Sequence, residues 1–298
     1  MSTAGQDYSR WQIWALAARP KTLWAAIGPV IIGAAIALDD GAFHAMSFAA
    51  ALLGAVLIQI GTNFANDLFD FTKKTDTAER VGPLRVTQAG LVSPNQMRNA
   101  TIITFGIAFL IGTYLVYRGG LPIVAIGLLS ILFGVLYTAG PYPLGYNGLG
   151  DIFVFIFFGP VAVGGTYFVM AQNITASALL AGISPGLLSA AILAVNNTRD
   201  IETDAAAGKK TLAVRFGRRF SEIEFIVLVS AAGAFPVVYY IATRSHPYAA
   251  ISSLAIIPAV FVARQLIAQR GAALNSALAS TGKILALYSV LFAVGWLL

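Results

Sequence analysis

Long apolar segments follow one another along most of this 298-residue chain, and they constrain its fold more than any other feature. A helix that crosses a membrane needs about 20 mainly apolar residues. Charged residues make up only 11% of the chain, whereas soluble domains carry about 25%, so the folded surface suits lipid better than water. We therefore expect an all-α integral membrane bundle in the lipid bilayer, forming a single domain over residues 1–298. The nine predicted spans are 22–38, 47–66, 100–117, 121–138, 152–171, 176–196, 223–243, 247–263 and 281–298.

The distribution of basic residues predicts the orientation of these spans. With the amino terminus in the cytosol, nine alternating spans leave only Arg118 and Arg244 outside, so the other 17 of the 19 Lys and Arg residues face the cytosol. Cytosolic loops of membrane proteins are enriched in Lys and Arg. The two long polar connections, 67–99 and 197–222, are then both cytosolic. The first residues lack the composition of a signal or transit peptide, so we expect a multi-pass protein of the plasma membrane.

The two polar connections resemble each other, and each begins at the cytosolic end of an even-numbered span. Each places an Asn before an Asp, then a second Asp, and then paired lysines. The two motifs read Asn66-Asp67-Leu-Phe-Asp70 and Asn197-Thr-Arg199-Asp200-Ile-Glu-Thr-Asp204. The similarity predicts a pseudo-repeat of two halves, with a site where the halves meet.

The spacing of the carboxylates indicates a site for a metal-bound diphosphate. Asp67 and Asp70 are three residues apart and Asp200 and Asp204 four apart, so each pair lies on one face of a helix. Oxygen ligands favour hard cations, and Mg²⁺ is usually shared between carboxylates and substrate phosphates. The chain has no cysteine, which excludes thiolate metal sites, and only two histidines, which argues against a histidine metal site.

In an apolar bundle, such a site for a diphosphate head group suits a substrate with a long apolar tail. The basic residues that flank the motifs and suit phosphate oxygens are Lys73, Lys74, Arg80, Arg85, Arg199, Lys209, Lys210 and Arg215.

The two motifs resemble those of the UbiA superfamily of intramembrane aromatic prenyltransferases, and the resemblance covers nearly the whole chain. Further stretches are most similar to the branch that prenylates 1,4-dihydroxy-2-naphthoate in menaquinone biosynthesis. They include Ala18-Arg19-Pro20-Lys21-Thr22-Leu23, Arg80-Val-Gly82-Pro83-Leu-Arg85-Val-Thr-Gln88-Ala-Gly90 and Gly148-Leu149-Gly150-Asp151. The resemblance implies nine helices around a central cavity. It also implies Mg²⁺-dependent transfer of a polyprenyl chain from polyprenyl diphosphate to the naphthoate, with loss of CO₂ and diphosphate.

The same resemblance implies roles for individual residues. Two Mg²⁺ ions, replaceable by Mn²⁺, would bridge the diphosphate as it leaves. Asp76 follows Asp70 by six residues instead of the four frequent in the wider superfamily, which fits the naphthoate branch. An anionic acceptor needs a cationic partner, for which Arg80 and Arg85 are candidates, and Tyr137 is a further candidate for contact with the acceptor. The implied metal ligands are Asp67, Asp70, Asp76, Asp200 and Asp204, of which Asp67, Asp70, Asp200 and Asp204 are the implied catalytic residues. The implied diphosphate-binding residues are Asn66, Lys73, Lys74, Asn197, Arg199 and Lys209.

Two alternatives remain open from the sequence. One is a prenyltransferase of the same superfamily with another acceptor, such as 4-hydroxybenzoate, homogentisate, haem b, chlorophyllide or a glycerol ether. The other is a secondary transporter, for which a pseudo-repeat with polar residues is also typical. Transporter coupling residues usually lie near the bilayer midplane, whereas these clusters lie at one predicted membrane surface. We expect no nucleic-acid partner.

Overall fold

The structure is a computed structural model that describes residues 8–73 and 81–298. In this part of the chain every regular element is helical. The helices are α1 (Arg10–Ala18), α2 (Trp24–Asp39), α3 (Ala45–Thr72), α4 (Pro94–Gly119), α5 (Leu121–Leu136), α6 (Gly150–Ala171), α7 (Ala176–Arg199), α8 (Ile201–Ala206), α9 (Leu212–Phe216), α10 (Arg218–Thr243), α11 (Pro247–Ala268) and α12 (Gly271–Leu297).

The predicted all-α membrane bundle is confirmed by the length and composition of these helices. Within the described residues, α3, α4, α6, α7, α10, α11 and α12 are long and apolar enough to cross a membrane. The chain from α1 to α2 bends by 52° and would add an eighth span if it were counted as one. Each predicted span overlaps a helix, but α2 and α5 have 16 residues each, about 24 Å at 1.5 Å per residue. The count of nine spans and the division into two related halves stay predictions.

The outer surface of the bundle is apolar, as expected for contact with lipid chains. Leu110 on α4 is 67% exposed and Phe261 on α11 is 64% exposed. Buried aromatic side chains fill the interior, among them Tyr167, Phe225 and Tyr288. The protein is therefore a multi-pass membrane protein.

Two helices pack closely because glycines line their contact. A Cβ atom on Gly159 of α6 would lie 2.5 Å from the backbone oxygen of Gly182. A Cβ atom on Gly186 of α7 would lie 2.6 Å from the backbone oxygen of Phe155. Small residues four apart are a common way for membrane helices to approach each other. This contact fixes α7, whose last turn carries the start of the second motif, against α6.

The amino-terminal segment forms a helix that the sequence analysis did not predict. Ser9 and Gln12 form a reciprocal capping box at the start of α1, which satisfies backbone donors that a helix start leaves open. At Arg19 the backbone turns into the left-handed region, with φ of 52°. A short turn over Pro20–Thr22 then leads into α2. We call residues 19–22 the amino-terminal strap.

The two polar connections are more helical than the sequence predicted. α3 continues to Thr72 instead of ending near residue 66, so the first motif occupies its last two turns. Most of 197–222 belongs to the end of α7, to α8 and α9, and to the first turn of α10. Both motifs are thus held on or beside helix ends.

Candidate active site

A cavity of about 770 Å³ lies inside the bundle, lined mainly by α2 to α7 and the connections between them. One end of its lining is polar and contains residues from both motifs. The other end is apolar and contains small residues of α3, α4 and α5, such as Ala51, Gly112 and Gly127. The cavity therefore suits a molecule with a polar head and a long apolar tail. The motif residues in its lining are Asn66, Asp70, Asn197, Asp200, Asp204 and Lys209.

Asp70, in the last turn of α3, binds a guanidinium and a phenol. Nη2 of Arg85 lies 2.6 Å from Oδ2 of Asp70, and both side chains are almost fully buried. The hydroxyl of Tyr146 donates to Oδ1 of the same carboxylate. The carboxylate is thus neutralised by a cation that belongs to a different segment of the chain.

Asp67 lies one turn earlier on α3 and binds backbone amides instead. Its two oxygens accept from the backbone N–H groups of Val86 and Thr87, at 3.2 Å and 3.3 Å. Asp67 lies outside the cavity lining and is 2% exposed. It holds residues 85–91 against α3, and this segment carries Arg85.

The second motif contains two further ion pairs. The guanidinium of Arg199 donates to both carboxylate oxygens of Asp200, from Nε at 2.8 Å and from Nη2 at 2.5 Å. It also donates to the side-chain oxygens of Asn196 and Asn275, so Arg199 orients Asp200 from behind the cavity wall. Nζ of Lys209 lies 3.0 Å from Oδ1 of Asp204.

Tyr146 connects the two motifs, and the sequence analysis did not identify it. Besides its hydrogen bond to Asp70, its ring lies 5.3 Å from Nζ of Lys73 and 4.8 Å from Nζ of Lys209, measured to the ring centroid. Its backbone oxygen accepts from the N–H of Lys210 at 2.6 Å. Cations over an aromatic face are attracted by its quadrupole. One side chain therefore holds the basic residues of both motifs together.

The remaining predicted site residues are placed as follows. Nζ of Lys73 donates to the backbone oxygens of Thr138 and Gly140 and lies outside the cavity lining. Burial lowers the pKa of the Lys73 ammonium, and the Asp70 carboxylate opposes that shift. Arg85 and Tyr137 line the cavity, and the side-chain oxygen of Asn66 accepts from the Thr138 hydroxyl. Lys74, Asp76 and Arg80 lie outside the described residues.

Three phenylalanines form an aromatic wall in the cavity. The ring centroid of Phe133 lies 4.7 Å from that of Phe153 and 5.4 Å from that of Phe157. All three residues line the cavity. Aromatic faces attract cations, so this wall suits a reaction in which positive charge develops on carbon.

The donor set at the polar end fits a hard cation that a bound polyanion helps to hold. Within residues 8–73 and 81–298, no three His, Asp or Glu side chains are grouped closely enough to hold a metal ion by themselves. Mg²⁺ is commonly bound by one or two carboxylates together with substrate phosphates and water. Asp70, Asp200 and Asp204 supply such carboxylates to one cavity. Each of these three carboxylates forms an ion pair with a guanidinium or an ammonium, so positive charge is favourable beside each of them.

Comparison with known proteins places this geometry in one family. The sequence matches the UbiA prenyltransferase family over residues 26–287. It is 36% identical to a 1,4-dihydroxy-2-naphthoate octaprenyltransferase of Haemophilus influenzae, with 96% of each chain covered. It is 40% identical to the enzyme of that name from Escherichia coli over 71% of each chain. It is 39% identical to that from Mycobacterium tuberculosis, over 77% of this chain and 78% of the other.

The fold is also similar to that of solved structures. A UbiA homolog from Archaeoglobus fulgidus bound to GPP and Mg²⁺ superposes with a TM-score of 0.69, at 15% identity, over 96% of this chain and all of the other. A UbiA homolog from Aeropyrum pernix gives a TM-score of 0.69 at 14% identity, over 92% of this chain and 96% of the other. At these identities the likeness concerns the fold alone.

Proposed function

The chain belongs to the UbiA prenyltransferase family, and from this premise we propose that it transfers a polyprenyl chain from polyprenyl diphosphate to 1,4-dihydroxy-2-naphthoate. The products would be demethylmenaquinol, CO₂ and diphosphate. One observation carries the proposal for the donor: a single cavity joins carboxylates, amides and cations of both motifs to an apolar extension. The acceptor is inferred from the relatives, since enzymes of three bacteria that are 36–40% identical bear its name. The family match argues against the alternative of a transporter.

The polar end of the cavity would bind the diphosphate. Asp70, Asp200 and Asp204 would hold Mg²⁺ on the protein side, and Asp67 and Asp76 remain candidates for this role. When bound, Mg²⁺ neutralises charge that develops on the leaving diphosphate. Lys209 and Arg85 would exchange their carboxylate partners for phosphate oxygens, because Arg forms paired hydrogen bonds with phosphate and Lys acts as a mobile charge. Two metal ions, with Mn²⁺ able to replace Mg²⁺, stay part of the proposal.

The reaction itself needs few protein groups. The bond between C1 of the prenyl chain and the diphosphate oxygen breaks, and its electron pair leaves with the diphosphate. The allylic cation would lie against the aromatic wall of Phe133, Phe153 and Phe157. The carboxylate-bearing ring carbon of the acceptor then attacks C1. Loss of CO₂ returns the electron pair to the ring, so no general base is required.

A transfer assay on the purified protein tests this function. We expect farnesyl or geranylgeranyl diphosphate and 1,4-dihydroxy-2-naphthoate, labelled with ¹³C in its carboxylate, to give prenylated product and labelled CO₂ in equal amounts. Mg²⁺ should be required, so that a chelator stops the reaction and added Mg²⁺ restores it. Transfer only to another aromatic acceptor would overturn the naphthoate assignment. Product formation at full rate with the chelator would overturn the metal requirement.

The charge distribution supports a plasma-membrane protein whose motif loops face the cytosol. Arg219 and Arg244 lie at opposite ends of α10, and the chain has no cysteine of its own. We expect a membrane-impermeant maleimide to label Arg244→Cys in intact bacterial cells, and Arg219→Cys only after permeabilisation. The reverse pattern would overturn this orientation.

A further inference from the structure

Two segments of the chain meet beside the polar end of the cavity. One is the connection between α5 and α6, residues 137–149, and the other is residues 209–215, which lead from the end of the second motif into α9. The first segment contains Tyr146 and the second contains Lys209, and both residues line the cavity. Nζ of Lys209 lies 4.8 Å from the ring centroid of Tyr146. The positions of these two side chains therefore depend on how the two segments are held together.

The guanidinium of Arg215 connects the two segments. Its Nε donates to the backbone oxygen of Lys210, and its Nη2 donates to the backbone oxygen of Asn147, each at 2.9 Å. Arg215 is exposed and lies outside the cavity lining. The sequence predicted that Arg215 suits phosphate oxygens, whereas in the structure its guanidinium binds two carbonyl groups. A charged donor forms stronger hydrogen bonds than a neutral one, so Arg215 is well suited to hold the segments together.

The backbones of the two segments also approach each other closely at this place. The N–H of Lys210 donates to the backbone oxygen of Tyr146 at 2.6 Å. Gly148 has a φ of 75°, and a Cβ atom there would lie 3.1 Å from the backbone oxygen of Lys210. Residues other than glycine rarely adopt this φ, so Gly148 allows the first segment to turn beside the second. We call the residues that form these contacts the loop clamp: Tyr146, Asn147, Gly148, Lys210 and Arg215.

We infer that Arg215 is a positioning residue for the prenyl donor, because the loop clamp holds Lys209 where its ammonium can bind the diphosphate. The inference rests on the proposed function, in which Lys209 binds phosphate oxygens. The backbone N–H and C=O of Lys210 are both bound within the clamp, and Lys209 is the residue directly before it. Fixing the backbone at this point reduces the entropy that the long lysine side chain loses when it binds. Without the clamp, the ammonium would lie at the diphosphate site for only a fraction of the time, and the affinity would fall by that fraction.

Loss of the Arg215 guanidinium should weaken binding of the donor. We expect Arg215→Gln to raise the Kd for farnesyl thiodiphosphate, measured on the purified full-length protein with saturating Mg²⁺, by roughly 10-fold. The KM for the prenyl diphosphate should rise by a similar factor, and the KM for 1,4-dihydroxy-2-naphthoate should change little. Arg219→Gln is the matched control, since Arg219 is exposed, lies outside the cavity lining and pairs with Glu222 of its own helix at 3.3 Å. It removes the same charge four residues further along the chain, and its Kd should stay within about twofold of wild type.

A double-mutant cycle with Lys209 separates positioning from a structural role. Lys209→Gln alone should weaken binding by roughly 10- to 100-fold, the range expected for loss of a charged hydrogen bond. In that background, Arg215→Gln should change the Kd by less than about twofold, because the ammonium that Arg215 positions has been removed. An equal loss in both backgrounds would overturn the inference, since Arg215 would then act on the fold as a whole or on the diphosphate directly.

Gly148→Ala tests the clamp from its other side and leaves Arg215 in place. We expect it to raise the same Kd by roughly 10-fold, and to add little to the effect of Arg215→Gln, because both substitutions open one clamp. Gly41→Ala is the control for backbone strain, since Gly41 has a φ of 68° and a Cβ atom there would meet nothing within 4 Å. Wild-type affinity in both Arg215→Gln and Gly148→Ala would overturn the inference and leave the proposed function standing. A wild type that does not bind the thiodiphosphate would overturn the proposed function, and the inference with it.

Discussion

Asp200→Asn is expected to lower turnover by at least about 10³-fold while the protein stays folded and inserted in the membrane. The substitution keeps the shape of the side chain and one of its two acceptor oxygens, but it removes the charge. Asp200 lines the cavity and is held by two hydrogen bonds from Arg199. An amide oxygen carries no negative charge and holds Mg²⁺ less strongly than a carboxylate, so the charge on the leaving diphosphate would be poorly neutralised. Steady-state rates at saturating concentrations of both substrates and Mg²⁺ measure the effect.

Glu202→Gln is the matched control for this variant. Glu202 lies on α8, between Asp200 and Asp204 in the sequence, but its side chain is exposed and outside the cavity lining. Glu202→Gln removes the same charge two residues further along the chain, so its turnover should stay within about twofold of wild type, as for most surface substitutions. A folded Asp200→Asn protein with wild-type turnover would contradict the placement of the metal. Equal losses in both variants would point to general electrostatics at this surface instead of a metal ligand.

The membrane fold was predictable because it follows from the lengths of apolar segments. No other signal is needed to place α3, α4, α6 and α7 in a bilayer, because a run of about 20 apolar residues has few stable conformations other than a helix that spans the membrane. Helix ends were less predictable. The first motif was expected to begin a loop, yet α3 continues through it, because Asp67 and Asp70 find partners in residues 85–87 and can be buried.

That residues of both motifs line one cavity was predictable from the sequence, whereas the contacts that arrange them were not. The spacing of Asp200 and Asp204 is a local signal of one helix face. Tyr146 lies 76 residues from Asp70 along the chain, and no local pattern marks it as the link between two motifs. Arg19 is similar, because its place in the cavity lining depends on the contacts of Asn63 on α3 with Ala18 and Thr22. Such roles depend on tertiary contacts, which a single sequence does not display.

The pair of Asp70 and Arg85 explains how an acidic site can stay folded before its ligand arrives. An unpaired carboxylate in a buried position is strongly unfavourable. Arg85 supplies the positive charge at 2.6 Å in the structure, at a place where the proposed Mg²⁺ would also supply it. If Mg²⁺ and diphosphate bound here as proposed, Arg85 would be able to turn to the phosphate oxygens without leaving Asp70 uncompensated. The same carboxylate would thus have a protein partner in the free enzyme and a metal partner in the complex.

Arg85→Met tests this exchange by removing the charge while keeping an unbranched side chain that can fill space. We expect the free protein to lose about 3–5 kcal/mol of stability, the usual effect of removing one partner from a buried ion pair, measured as a lower melting temperature in detergent. Saturating Mg²⁺ with an inert prenyl thiodiphosphate should then narrow the difference from wild type, because the metal compensates Asp70. Tyr146→Phe is the control: it removes a neutral donor from the same carboxylate and should cost only about 1 kcal/mol. An Arg85→Met protein as stable as wild type would show that Asp70 needs no cation. A deficit that persists unchanged at saturating ligand would show that the metal does not take the place of Arg85 beside Asp70.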